Sequence, residues 1–203
     1  MSTARILARN LLANWVGFAA NVLVMFFLSP FVIHTLGEAV YGIWSLLMVL
    51  TGYLGIADIG VRASTGRYVV LYLGQHDHRR LGETIRTGLT LFSILGIVLL
   101  LVGLVVGLGF PYFFRSTPEE YQRTAAVLMP ALALNVWFMF LGAVFSSILT
   151  AHDRFDLARG VDLGVLALRA TGTVLALKGG YGIVGLTIVT LICGLLALLA
   201  NFV

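Results

Sequence analysis

Across 203 residues the chain is 60% hydrophobic and only 11% charged, with a formal net charge of +4. A soluble domain carries about a quarter charged residues, so there is too little polar side chain here to cover a water-facing globule. The basic excess is not clustered with exposed aromatics, which argues against a nucleic-acid partner.

The apolar residues come in long blocks, and several reach the roughly 20 residues that one helical crossing of a ~30 Å hydrocarbon core requires. In chain order they predict an all-α transmembrane bundle with six spans, at 11–33, 39–61, 87–110, 124–149, 163–177 and 181–203. Arg5 and Arg9 precede the first block, as they would in a secretory signal. The block is too long for a signal h-region and lacks a small-x-small exit, so it reads as a retained helix. The connectors 34–38 and 178–180 are tight turns, and 111–123 is a loop with two prolines and the acidic pair Glu119–Glu120. The connectors 62–86 and 150–162 are longer and rich in arginine.

The basic residues orient the bundle. Arg5, Arg9, Arg62, Arg67, Arg79, Arg80, Arg86, Arg154, Arg159 and Arg169 are assigned to one side, against Arg115, Arg123 and Lys178 on the other. The positive-inside rule then puts both termini in the cytoplasm. Within the spans, Gly103 and Gly107 have the GxxxG spacing of a close-packing face. Pro30 and Pro130 each remove a backbone donor and permit a bend.

Polar residues recur inside the spans at helical spacing. Asn10, Asn14, Gly17 and Asn21 fall on one face of the first helix, and Thr51, Gly55, Asp58 and Arg62 repeat the pattern in the second. Asn135, Gly142 and Ser146 mark the fourth, Asp162, Arg169 and Thr173 the fifth, and Thr187, Thr190, Gly194 and Asn201 the sixth. The third has only Thr87 and Thr90 near its start, so it is expected to face lipid. Small and polar residues are enriched wherever membrane helices touch, which accounts for the threonines, serines and glycines taken singly. Charges and asparagines at membrane depth cost more and face a bundle interior or a wet cavity. The expectation is a hydrated central cavity whose candidate residues are Arg62, Asp58, Asn14, Asn21, Arg169 and Asn135.

Asp58 and Arg62, one turn apart, form either a structural ion pair or a site in which Arg62 attracts an anion while Asp58 tunes it or carries a proton or cation. Arg169 either lines the same cavity or snorkels to the cytoplasmic interface. Arginine suits phosphate because its planar fork donates two hydrogen bonds together.

Enzymatic patterns do not emerge. The four histidines, His34, His76, His78 and His152, all fall in connectors, and His76-x-His78 with Asp77 lacks a third ligand cluster. Cys193 has no disulfide partner and reads as a small buried apolar residue. There is no Walker loop, nucleophile elbow or HExxH. No catalytic residue, metal or cofactor is expected, and any energy input must come from ions, a substrate gradient or a partner.

Three stretches carry a resemblance. LSPFVIHTLGEAVYGIW (28–44) resembles the first-loop signature of polysaccharide and O-antigen transporters. LGIADIGVRASTGRYVVLYL (54–73) resembles the end of their second helix and the connector after it. TAHDRFDLARG (150–160) is similar to the cytoplasmic turn after their fourth helix, with the aromatic after arginine as Arg154–Phe155, although Arg159–Gly160 stands where an asparagine-like residue is usual. These proteins belong to the multidrug/oligosaccharidyl-lipid/polysaccharide exporter superfamily.

The resemblance implies two helical lobes around a central cavity in the bacterial cytoplasmic membrane. Alternating access would move an undecaprenyl-pyrophosphate-linked oligosaccharide outward, with Asp58 and Arg62 at the cytoplasmic side. Implied partners are that lipid-linked substrate, membrane lipid, a missing C-terminal lobe and other polysaccharide-assembly membrane proteins. Residues 1–203 would be the N-terminal lobe, the chain ending at Asn201–Phe202–Val203 inside an apolar block. A cation-coupled small-molecule exporter of the same superfamily is the alternative. That class should place an acidic residue deep in the first helix, where only asparagines occur.

Overall fold

The computed structural model describes residues 3–58, 60–114, 119–151 and 155–202, with side chains in the first helix described from Trp15 onward. Among the described residues seven α-helices follow in order: α1 Thr3–Leu36, α2 Glu38–Gly55, α3 Val61–Gly74, α4 His78–Phe113, α5 Glu119–Ala151, α6 Phe155–Lys178 and α7 Gly182–Phe202. All but the short α3 are long and apolar enough to cross a membrane, and no strand occurs among the described residues. The predicted all-α bundle of six spans is the observed one.

The helices outrun the predicted spans at the arginine-rich end. Hydropathy registers only the part of a helix that lies in hydrocarbon, whereas α4 alone, at 36 residues, extends about 54 Å against a ~30 Å core. Four expectations change. The second span stops at Gly55 instead of 61, a 3-10 turn Ile56–Asp58 follows, and the predicted connector 62–86 is largely the helices α3 and α4. Gly55 and Gly60 flank that interruption, and glycine is the poorest helix former after proline. Pro111 lies inside the last turn of α4, not in a loop, and Phe155 rather than residue 163 opens α6.

The true connections are short. Gly37 joins α1 to α2 with φ of 78°, and Gly180 and Gly182 take φ of 76° and 52° between α6 and α7. Side chains rarely adopt that left-handed conformation, so glycine suits these turns. At the α3–α4 turn the Asp77 carboxylate accepts from the Arg80 backbone N–H at 3.0 Å, capping α4.

The core is built on α5, which packs against α2, α3, α4 and α7. Its tightest seam is with α4, where Gly88, Phe92, Gly96, Leu99, Gly103, Gly107 and Phe110 form a buried stripe. A Cβ on Gly107 would sit 2.5 Å from the Ala126 carbonyl oxygen, and one on Gly103 would sit 2.6 Å from the Ala133 methyl. The GxxxG pair is therefore a close-packing face. Phe92 and Phe140 meet across the same seam with ring centroids 5.3 Å apart. The opposite face of α4, with Ile94, Leu101, Val105 and Leu108, is exposed. The third span was expected to face lipid; only this half of it is free to do so.

Candidate functional site: a cleft between α1, α6 and α7

Against α5 the packing is close, but α1 meets α6 more loosely and leaves two adjoining cavities. The first, of about 520 Å³, is lined by Asn21 and Met25 of α1 and by Arg159, Asp162 and Arg169 of α6. The second, of about 250 Å³, includes Ser29, Tyr41, Trp44, Thr173 and Thr190 in its walls. Met25 and Arg169 line both. The helical repeat produces this arrangement: Gly17, Asn21, Met25 and Ser29 recur every four residues on α1, and Asp162, Arg169 and Thr173 share one face of α6.

Arg169 stands between the two cavities, about 15 Å along α6 from Arg159 at 1.5 Å per residue. Its guanidinium lies beside the Cys193 thiol of α7. Its Nε is buried and has no hydrogen-bond partner among the described residues. An unpaired buried donor is costly, and a charged one more so, unless something fills the position. Arg159 is different, since its Nη1 donates to Asp162 Oδ2 at 3.0 Å, closing a local ion pair at the cavity mouth. Arg169 lines both cavities and lies near the middle of the apolar stretch Arg159–Lys178.

The other candidates are dispersed. Asn21 lines the first cavity, whereas the Asn14 side chain lies outside the described residues. Asp58 Oδ2 and Arg62 Nε pair at 2.6 Å, the carboxylate side chain 12% and the guanidinium side chain 53% exposed. This pair is absent from the lining of either cavity, and Asp58 Oδ1 is buried without a partner. Asn135 sits in the α5–α7 contact, its Oδ1 occupying the space above Gly194 that a Cβ would need. It too is absent from the cleft.

Several polar-stripe residues bond inside their own helices. The Thr51, Thr187 and Thr190 hydroxyls donate to the carbonyls of Leu47, Ile183 and Leu186, and the Asn201 amide donates to Ala197. Their own helix backbones satisfy them, and Thr190 also lines the second cavity. The sequence reading passed over Ser29, Tyr41 and Trp44 as cavity walls. Continuing the asparagine face of α1 by one more turn would have found Ser29. Among the described residues no group of three or more histidine, cysteine or acidic side chains could hold a metal.

Membrane-length helices around a polar cleft, with an arginine at mid-span, fit the class of multi-pass membrane transporters. The chain belongs to the MatE family, whose model matches residues 15–159. It is 27% identical over 153 residues to a protein of Shigella flexneri named "Putative O-antigen transporter", covering 73% of this chain and 35% of that one. The chain thus spans about a third of the length of the curated relative it matches. No solved structure gives a significant match. The resemblance read from 28–44, 54–73 and 150–160 is borne out at the level of family and superfamily.

Proposed function

We propose that this chain is the N-terminal lobe of a flippase that carries a lipid-linked oligosaccharide across the bacterial cytoplasmic membrane by alternating access. The lobe would sit with its arginine-rich end in the cytoplasm. The observation that carries the reading is Arg169, whose buried Nε–H is unpaired where the two cavities meet. That Nε–H and a terminal N–H of the same guanidinium form the fork that grips two oxygens of a phosphate. A pyrophosphate entering the larger cavity would meet Asn21 and the Arg159–Asp162 pair first and Arg169 next, with Tyr41 and Trp44 beyond. Arg62, half exposed and held by Asp58 outside both cavities, would attract the same anion to the arginine-rich end of the bundle. The name of the Shigella relative supports a glycan cargo.

The multidrug-type alternative asks for an acidic group deep in the first helix, and residues 3–36 contain none. Reconstituting the complete protein in vesicles separates the two. A fluorescent polyprenyl-pyrophosphate-linked glycan should reach the opposite leaflet, while a lipophilic cation should not be extruded. Cation extrusion without glycan movement would overturn the proposal. Orientation is checked in intact cells, where a cysteine at Tyr181 should label from outside and one at Gln75 should not.

A further inference from the structure

Outside the cleft, the arginine-rich end carries a second recess, about 490 Å³, between α3 and α4. Its walls include Tyr68 and Tyr72 from α3, and Arg80, Glu83, Thr84 and Leu91 from α4. The two tyrosine rings stack with centroids 6.0 Å apart and planes 17° apart, and the Arg80 guanidinium lies 5.9 Å above the Tyr72 ring. The floor is Gly88, where an added Cβ would come within 3.0 Å of the Thr65 methyl. None of these residues lines the α1–α6–α7 cavities.

Depth and charge together specify the occupant. Counting about 20 residues back from Phe113 leaves the hydrocarbon near residue 93, and counting about 20 forward from Glu38 leaves it near Asp58. The recess therefore lies at headgroup level, with Leu91, half exposed, at its bilayer edge. Tyrosine is enriched at that depth because its ring is apolar and its hydroxyl is wet. The charges that line the recess balance, Arg80 against Glu83. Each is also paired along α4, Arg80 Nε 3.5 Å from Asp77 Oδ2 and Glu83 Oε1 3.2 Å from Arg79 Nε. A basic pocket would select an anionic lipid. A balanced one, with cation and carboxylate on the same wall, complements a ligand that carries both signs.

We infer that this groove holds the headgroup of a zwitterionic phospholipid, its phosphate on Arg80 and its ammonium between Glu83 and the Tyr68 ring. A primary ammonium of the phosphatidylethanolamine type fits best, because it donates to a carboxylate and also binds an aromatic face. The Thr84 hydroxyl is placed to donate to the phosphate, and the acyl chains leave over Leu91. This site is independent of the transport cleft and holds whatever that cleft carries.

Native mass spectrometry of the complete protein, extracted in mild detergent and washed with mixed phosphatidylethanolamine and phosphatidylglycerol, reads the site directly. The wild type should keep one phosphatidylethanolamine in preference to phosphatidylglycerol. Arg80→Gln should weaken that retention about tenfold, the worth of one charge-assisted hydrogen bond. Glu83→Gln, which removes the acceptor for the ammonium, should turn the preference toward phosphatidylglycerol. Both side chains are mostly exposed, 63% and 62%, so the fold survives their replacement, and an unchanged melting temperature verifies it. Equal retention of the two lipids by the wild type would overturn the inference. So would undiminished phosphatidylethanolamine retention in Arg80→Gln, or displacement of the lipid by a soluble oligosaccharide.

Discussion

Helices α1 and α5 are both long and apolar and each contains a proline, yet they are used in opposite ways. Half of the best apolar window of α5 is buried inside the bundle, against 6% of that of α1. The surface of α5 interlocks with a glycine stripe on α4, so its backbone is held where a single methyl would collide. The α1 surface touches α6 across a cleft and leaves Trp15, Phe18, Phe26 and Phe27 exposed. In hydrocarbon, burying apolar surface gives no hydrophobic gain, so close packing is what holds helices together. One half of the bundle is thus fixed by packing, and the other retains the space and polar groups that the proposed transport path would need.

The largest expected effect lies in the packed half. Gly107→Leu drives a side chain into the Ala126 carbonyl, against backbone that cannot yield. Overpacking of this kind costs about 3 kcal/mol, and folded protein recovered in detergent should fall sharply. Normal yield and melting temperature would mean that the α4–α5 seam is not what holds the bundle.

Arg169 should behave in the reverse way. Arg169→Gln removes a half-buried cation whose buried Nε makes no hydrogen bond, so melting temperature should change little. Transport of the pyrophosphate-linked substrate should fall about tenfold or more, as expected for a lost charge-assisted hydrogen bond. Arg169→Lys should retain part of the activity, since lysine keeps the charge and loses the fork. Full transport in Arg169→Gln would remove the residue from the path and leave the cleft without its anion site.

Reading the chain alone recovers the packed half better than the open half, for a physical reason. Apolar length is local information, so all six spans are legible, and Gly103-x-x-x-Gly107 announces a close approach by its spacing. What the apolar pattern cannot register is helix continuing beyond the hydrocarbon: α3, the first turns of α4 and the opening turns of α6 all read as connector. Asp77, ideally placed to cap α4, was a usable signal. The site divides in the same way. Asn21 and Arg169 share a cleft because each lies on the polar face of its own helix. Asn135 lies on such a face too, but it meets Gly194 of α7, and which face meets which neighbour is not written in any one helix.

The smallest expected effect concerns Asp58 and Arg62, which belong to neither half. Asp58 ends the 3-10 turn between α2 and α3 and Arg62 lies in the first turn of α3, with the guanidinium half in solvent. An ion pair this exposed on one side is worth about 1 kcal/mol or less. If the pair only steadies the break, Asp58→Asn and Arg62→Gln should each lower stability by about that amount, and the double change should cost less than the sum. Transport should then follow stability in all three variants. If Arg62 also gathers the anionic substrate, the double variant should fold as well as the wild type and still transport poorly. Raising salt should slow the wild type toward it, because attraction at an exposed site is screened over about 10 Å at 0.1 M. Measuring melting temperature and glycan delivery side by side decides between the two. Wild-type transport by the stable double variant would make the pair a fastening of the α2–α3 break and leave Arg169 as the anion site in the cleft.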